Sequence, residues 1–213
     1  MELRSNDTSH RLRRTRRRMV VAVLAVLAVN AVAMVEGGAA SADPYPNDWY
    51  PDRGTHHTFC FSLAFAQYSG LVSRARYSMD NNDGVEAQTV VDTDEQTCGS
   101  STDVVFRIAD LRRDDAYAST TCLQWNGNGY CDKWAVDVDW DVIRLDATND
   151  GYAARFTLCH EIGHTLGVRH YDPGHSPDGA TNSCMLSLLT DTGAAWTRTY
   201  GTHHRSHINS WFG

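Results

Sequence analysis

The chain has 213 residues, which is enough for one ordinary domain and too few for two of the usual size. Hydrophobic residues make up 42% and charged residues 21%, a composition that excludes a disordered or fibrous chain. Residues 1–42 hold seven arginines and three acidic residues, so 43–213 carry 12 basic and 23 acidic residues and a net charge of −11. Because phosphate repels so acidic a surface, nucleic acid is not expected as a partner.

The first 42 residues have the layout of a secretory signal peptide. The basic stretch Arg11–Arg18 precedes the apolar run Met19–Val35, and small residues at 40–42 offer a cleavage site. The run is long for the apolar region of a signal peptide and short for a membrane span of about 20 residues, so an uncleaved membrane anchor stays open. We expect a secreted mature chain of 43–213 with no membrane contact after signal cleavage.

The start of the mature chain predicts an extended segment, a strand and a helix. Residues 43–54 contain three of the five prolines, which favours an extended conformation. Residues 59–63 alternate in polarity, as in a short strand. Between Phe65 and Met79, apolar residues recur at intervals of three and four, which predicts an amphipathic helix even though Gly70 weakens it.

The run DNNDG at 80–84 ends this helix, and a turn is its simplest interpretation. With Asp92, Asp94 and Glu95 nearby, the run could instead hold calcium, as in other secreted proteins. It does not match an EF-hand loop, because Gly84 stands where the third side-chain ligand belongs. Calcium therefore stays open as a second metal.

The second half of the chain predicts two more strands and two more helices. Val104–Ile108 has the apolar pattern of a buried strand, and residues 136–140 alternate with aspartates, as in a strand with one wet face. Helical patterns follow over 148–166 and 204–212. Together these elements predict an α+β fold, a mixed twisted sheet with an N-terminal helix, a long central helix and a small C-terminal part that ends in a helix.

The sequence TLCHEIGHTLGVRH in the predicted central helix carries the chemistry. His160 and His164 are four residues apart, so they share one helix face and can bind a zinc ion together. Glu161 can reach a metal-bound water without being a ligand. Gly167 can take the left-handed conformation that ends a helix, and such a turn brings His170 back as a third nitrogen ligand. Three protein ligands leave a fourth position for water, which is typical of catalytic zinc.

All six cysteines lie in the mature part of the chain. An even number behind an export signal predicts three disulfides, and the alternative of a cysteine metal site finds no C-x-x-C spacing. Six cysteines allow fifteen connectivities, so the pairing stays open. The favoured set joins Cys122 to Cys131 across the turn-rich LQWNGNGY and Cys159 to Cys184 on either side of the histidine motif, which leaves Cys60 with Cys98.

The segment HEIGHTLGVRH resembles the zinc-binding signature HExxHxxGxxH of the metzincin clan of metallopeptidases, and its HEIGHxLG core is most similar to the matrixins. The resemblance implies a catalytic domain of the zincin type at 43–213. It implies one catalytic zinc ion held by His160, His164 and His170. Glu161 would then be the general base toward a zinc-bound water that attacks a peptide carbonyl.

The resemblance also implies how the domain is divided, into an upper part at 43–170 and a lower part at 171–213. Members of the clan have a methionine turn below the metal, and Met185, fifteen residues after the third histidine, is the expected methionine. It would be a hydrophobic floor under the imidazoles, although ordinary core packing is an alternative. A Cys159–Cys184 disulfide would tie the active-site helix to this turn.

Three positions depart from the patterns of the better-known subfamilies. Tyr171 and Asp172 follow the third histidine, where matrixins usually have Ser or Thr. Ser187 stands where astacin-like and serralysin-like members have a tyrosine, so no fifth ligand is expected there. The subfamily and the substrate preference therefore stay open.

The implied function is that of a secreted, monomeric zinc metalloendopeptidase acting on peptide or protein substrates. By the same resemblance, the segment Ala118–Gln124 would be the edge strand along which a substrate aligns. One alternative is a zinc-containing secreted protein that binds a partner without turnover. Another is a zinc amidase or esterase that uses the same ligand set.

Five other histidines are interpreted as structural residues and not as metal ligands. His56, His57 and His175 are interpreted as surface or loop residues. His203 and His207 are four apart on the predicted last helix, and a solvated helix face is favoured there over a second metal site.

Overall fold

The computed structural model describes residues 49–80, 82–112, 116–170 and 183–213. Its elements in chain order are β1 (His56–Phe61), α1 (Leu63–Ala66), α2 (Ser69–Met79), α3 (Val85–Gln88), β2 (Asp92–Glu95), β3 (Val104–Ile108), β4 (Ala118–Trp125), β5 (Cys131–Val138), α4 (Trp140–Asp146), α5 (Asp150–Thr165), a 3-10 helix (Ala195–Arg198) and α6 (Thr202–Phe212). The five strands form one sheet in the order β2-β1-β3-β5-β4. All neighbouring strands are parallel except β4, which runs antiparallel to β5 at the edge. The predicted mixed sheet with packed helices is confirmed.

The core lies between the sheet and the helices α2 and α5. Val104 and Phe106 of β3 and Val136 and Val138 of β5 are fully buried and belong to this core. Helix α5 is buried on all sides over its last ten residues, 156–165. A helix of this kind lies inside a domain, not on its surface. It nevertheless carries several polar side chains, which need partners because unpaired burial is costly.

The predicted single helix from Phe65 to Met79 is two helices in the structure. Ser62 Oγ accepts a hydrogen bond from the backbone N–H of Phe65, which caps the four-residue α1. The chain then turns at Tyr68, and α2 starts at the next residue. A cap formed by one side chain leaves the apolar spacing unchanged, so periodicity does not reveal the break.

The predicted strand over 136–140 ends two residues early. Asp139 is buried, and its carboxylate accepts a hydrogen bond from the backbone N–H of Val142 at 3.1 Å, so it caps α4. Trp140 is consequently the first residue of that helix. Of the aspartates assigned to a wet strand face, Asp137 forms an ion pair with Arg107 of β3 at 2.6 Å.

His57 is not a surface residue, and that prediction is wrong. It lies in β1 and is 2% exposed, with its Nε2 atom 3.1 Å from the hydroxyl oxygen of Thr165 in α5. The Thr165 hydroxyl donates to the backbone oxygen of Ile162, so the imidazole N–H donates to Thr165. His175 lies outside the described residues.

Three disulfides join Cys60 to Cys98, Cys122 to Cys131 and Cys159 to Cys184, which are the pairs favoured from the sequence. The first ties β1 to the segment after β2, and the second closes the β4–β5 hairpin. The third links α5 to the segment that starts at Ser183. Within the described ranges, no helix has the length and apolar character needed to cross a membrane.

The acidic residues considered for calcium have other partners. Asp83 accepts hydrogen bonds from the Tyr77 hydroxyl and from Arg198 Nε, and these contacts lower the pKa of its carboxyl group. Glu95 pairs with Arg76 in the same way. Nothing in the structure supports calcium, because the described part of the chain has no cluster of acidic side chains placed to share a cation.

Candidate metal and catalytic site

Helix α5 carries His160, Glu161 and His164 of the predicted site. Asn149 caps its start by accepting a hydrogen bond from the backbone N–H of Tyr152 at 3.1 Å. The helix ends at its C-cap, Leu166, and the next residue, Gly167, has a φ of 80°. The backbone N–H of Val168 then donates back to the oxygen of Gly163 at 3.0 Å, which closes the sharp turn. This turn leads the chain to His170.

Gly167 is required at the turn for two reasons. Its positive φ lies in the left-handed region of backbone conformation, which residues other than glycine rarely adopt. In addition, a Cβ at this position would lie 3.0 Å from Cδ of Pro51. Pro51 is held in place because its carbonyl oxygen accepts a hydrogen bond from the indole Nε1 of Trp211 at 3.1 Å. The N-terminal segment therefore supports the turn from outside.

The turn brings three imidazoles together. His170 Nε2 lies 2.8 Å from His160 Nε2 and 2.8 Å from His164 Nε2. The possible ligand atoms of the three residues all lie within 4.8 Å of one another. His160 and His164 are buried, whereas His170 is exposed. No other group of three or more His, Cys, Asp or Glu residues in the described ranges is placed in this way.

The second nitrogen of each helical imidazole is bonded to a carbonyl oxygen. His160 Nδ1 donates to the backbone oxygen of Cys184 at 2.8 Å, and His164 Nδ1 donates to that of Val168 at 2.8 Å. With the proton on Nδ1, each neutral ring has its lone pair on Nε2, which points toward His170. Such outer contacts are typical of histidines that bind metals, since they fix both tautomer and orientation. The donor set fits a zinc ion.

Burial keeps the two helical imidazoles neutral. Desolvation lowers the pKa of His160 well below its usual range and that of His164 to about 3. Each ring is further disfavoured as a cation by its histidine neighbours. A metal ion coordinates only the neutral form of histidine, so no protons need to be displaced from these rings near neutral pH.

Glu161 is a buried carboxyl group next to the imidazoles. Its side chain is 6% exposed, and desolvation raises its pKa to about 7. The hydroxyl of Thr120 in β4 lies 2.7 Å from Glu161 Oε2 and opposes that shift. A carboxyl group with a pKa near neutrality can both accept and donate a proton under physiological conditions. The sequence pattern gave no sign of Thr120.

These groups line a cavity of about 450 Å³ between α5, β4 and the segment after Ser183. Helix α5 and its turn contribute Phe156, Thr157, His160, Glu161, His164 and His170. The remaining lining residues are Ala116, Tyr117, Ala118, Ser119, Thr120, Ser187, Leu188 and Leu189. Strand β4, which covers the expected segment Ala118–Gln124, lies at the sheet edge beside this cavity.

Met185, the methionine expected in a turn near the metal, packs against helix α5 at Gly163. It is fully buried, and a Cβ built on Gly163 would overlap its Sδ atom. The hydroxyl of Tyr200, a residue that the sequence patterns did not single out, donates to the backbone oxygen of Cys159 at 3.1 Å. Glycine at 163 thus lets the methionine approach the helix between the two helical histidines. Tyr171 and Asp172 lie outside the described residues.

Comparison with known proteins gives little. No protein-family model matches the chain. No curated protein matches it either. Among solved structures, 63 chains match. One is an archaemetzincin from Methanopyrus kandleri, with 13% sequence identity and a TM-score of 0.45, and the match covers 75% of this chain and 97% of that one. At that identity, no residue role is carried over from the archaemetzincin.

Proposed function

We propose that this protein is a zinc-dependent metalloendopeptidase. The observation that carries the proposal is the convergence of the Nε2 atoms of His160, His164 and His170 in the wall of a cavity, beside the buried carboxyl group of Glu161. Structural zinc sites are closed by four protein ligands, whereas these imidazoles face a cavity large enough for part of a substrate. We assign the three histidines as zinc ligands.

Each residue of the proposed site has a defined role. A zinc ion held by the imidazoles supplies a Lewis acid that polarises a carbonyl group and lowers the pKa of water. The carboxylate of Glu161 accepts the proton of the attacking water and passes it to the leaving amine. Its burial raises the pKa of its carboxyl group, which favours the protonated form that passes the proton on. Met185 supports the helix that carries two of the ligands.

The substrate is proposed to be an extended peptide that pairs with β4. An edge strand has backbone N–H and C=O groups on its outer side that can bind a peptide in this way. Strand β4 is such an edge, and the cavity beside it has apolar side chains, among them Tyr117, Leu188 and Leu189. A peptide aligned on β4 would have one peptide bond close to the three histidines.

The site of action is proposed to be outside the cell. Three disulfides favour an oxidising compartment, and residues 1–42 have the layout of an export signal. We propose that 43–213 is the mature catalytic domain, with an upper part at 43–170 and a lower part at 171–213, and that it acts as a monomer.

The test is cleavage of an unfolded protein by purified 43–213, comparing wild type with Glu161→Ala. Glu95→Ala is the matched control, since Glu95 pairs with Arg76 on another part of the surface. Cleavage by wild type and by the control, but not by Glu161→Ala, is the expected result when all three hold equal zinc. If none of them cleaves while all hold stoichiometric zinc, the proposal is contradicted. Ester and non-peptide amide substrates then test the amidase or esterase alternative.

The ligand assignment has its own test, which is the zinc content of the purified protein. Replacing His164 or His170 with alanine is expected to abolish stoichiometric zinc, because two imidazoles bind far more weakly than three. His56→Ala is the control, since His56 is exposed and lies next to Asp92 and Asp94 on β2. Retention of zinc by His170→Ala would contradict its role as a ligand.

A further inference from the structure

We infer that Thr120 is a positioning residue for Glu161, an assignment that rests on the proposed function of Glu161. Thr120 lies in β4, the edge strand that borders the cavity. Its hydroxyl oxygen is 2.7 Å from Glu161 Oε2 and 3.0 Å from the backbone oxygen of Glu161. A hydroxyl group has one proton to donate. Because both acceptors belong to Glu161, that proton goes to Glu161 in either arrangement.

The contact fixes one oxygen of the carboxylate and leaves the other for the reaction. Among the described residues, Thr120 is the one side chain found to donate to the Glu161 carboxylate. A hydrogen bond to a charged acceptor is stronger than one between neutral groups, and it restricts rotation of the Glu161 side chain. With Oε2 engaged by Thr120, Oε1 is the atom that accepts the proton of the attacking water.

Thr120 is itself held firmly by the sheet. It lies opposite Val136 of β5, which is fully buried in the core. The Thr120 side chain therefore connects the strand proposed to align the peptide with the side chain proposed to move the proton. One residue sets the distance between these two parts, and a small misplacement of a catalytic group is known to cost much rate.

Steady-state kinetics on a peptide substrate test the role of the hydroxyl. Thr120→Val removes it with little change in shape, and we expect kcat to fall about 10- to 100-fold, the range for a lost hydrogen bond to a charged group. KM is expected to stay near the wild-type value, because the backbone of β4 is unchanged. Thr120→Ser keeps a hydroxyl and is expected to restore most of the activity.

Thr93→Val is the matched control for stability. Thr93 is a buried threonine in β2, at the opposite edge of the sheet, and its hydroxyl donates to the backbone oxygen of Met79 at 2.9 Å. We expect this variant to be less stable and to keep the wild-type kcat. Two results would overturn the inference: an unchanged kcat in Thr120→Val, whatever its KM, or a Thr120→Ser variant as slow as Thr120→Val.

A second readout does not depend on activity. A double-mutant cycle of denaturant unfolding combines Thr120→Val with Glu161→Ala in the metal-free protein. We expect Thr120→Val to lower the unfolding midpoint in the wild-type background and to have a smaller effect when Glu161 is absent. If the two effects on stability are additive and the zinc-bound wild type cleaves peptides, the role of Thr120 is overturned and the proposed function stands. A wild-type protein that holds zinc and cleaves no peptide overturns both this role and the proposed function.

Discussion

The imidazole of His160 donates a hydrogen bond from Nδ1 to the backbone oxygen of Cys184 at 2.8 Å, and the sulfur of Cys184 is bonded to Cys159, the residue before His160. The covalent link and the hydrogen bond therefore connect the same two short segments. The disulfide fixes the distance between helix α5 and the segment that starts at Ser183. At that distance the Cys184 carbonyl can accept the hydrogen bond that orients the His160 ring. Orientation of a ligand by its outer contacts tunes metal affinity.

This arrangement predicts that the Cys159–Cys184 disulfide controls zinc affinity. Replacing both cysteines with alanine removes a cross-link over 25 residues, which is worth roughly 3–4 kcal/mol of unfolding free energy in the chain-entropy model. We also expect zinc to bind more weakly, because without the cross-link the backbone oxygen of Cys184 is held less firmly against His160; complete loss of such an outer partner costs about 10- to 100-fold. Competition with a chromogenic chelator measures this affinity.

The matched control is the Cys60→Ala, Cys98→Ala double variant. Its cross-link spans 38 residues and joins β1 to the segment after β2, so its loss carries a similar cost in stability. Zinc affinity is expected to stay at the wild-type level in this variant. Equal losses of zinc affinity in both double variants would show that general destabilisation is the cause, and not the orientation of His160.

The turn at Gly167 predicts a second loss of zinc. Gly167→Ala places a side chain at a φ of 80° and 3.0 Å from Cδ of Pro51, so we expect about 1–3 kcal/mol of destabilisation and a displaced His170. Gly127→Ala is the control, because a Cβ there meets nothing within 4 Å and φ is not positive. Zinc titration of both variants, with unfolding midpoints, checks the prediction. Wild-type zinc affinity in Gly167→Ala would refute it.

The part of the site that sequence patterns predict is the part that is local. All three histidines and Glu161 lie within eleven residues, so helix geometry and one glycine turn are enough to bring them together. Thr120 comes from a strand 41 residues earlier, and its contact with Glu161 depends on how β4 lies in the sheet. No spacing in the sequence encodes such a contact.

For the fold as well, sequence patterns predict local features and miss those that depend on distant contacts. The run Val104–Ile108 is a strand at the predicted residues, with Val104 and Phe106 fully buried on the face that packs on the core. The prediction of a surface position for His57 is wrong because its partner, Thr165, is 108 residues away. A histidine beside another histidine, a few residues after a proline-rich segment, has the pattern of a surface residue. Tertiary contacts decided otherwise.

His57 predicts that acid destabilises the protein. Burial lowers its pKa to about 4, whereas histidine in the unfolded chain titrates near 6.5. Between these values the unfolded state binds more protons, so the free energy of unfolding falls as pH falls from about 6.5 to about 4. From this group alone, the free energy of unfolding above pH 6.5 exceeds that below pH 4 by about 3 kcal/mol.

Urea unfolding of the metal-free protein at several pH values tests this linkage. His57→Gln keeps an N–H donor for Thr165 and does not titrate, so its stability should fall less between pH 7 and pH 4 than that of wild type. His56→Gln changes the exposed neighbour in the same strand and should retain the steeper fall. The prediction fails if wild type and His57→Gln have the same pH dependence, since the other buried histidines are common to both.

Because Met185 packs closely on Gly163, we expect a larger residue at 163 to disturb helix α5 and destabilise the protein. Gly163→Ala forces its Cβ against the buried Met185 Sδ, and such overpacking costs about 1–3 kcal/mol. Gly70→Ala is the control, because its Cβ would meet only the flexible end of Arg74, and alanine there favours helix α2 by up to about 1 kcal/mol. Combining Gly163→Ala with Met185→Ala frees the space, so the double variant should lose less stability than the two single losses predict together. Additive losses, measured by denaturant unfolding, would mean that the two residues do not press on each other.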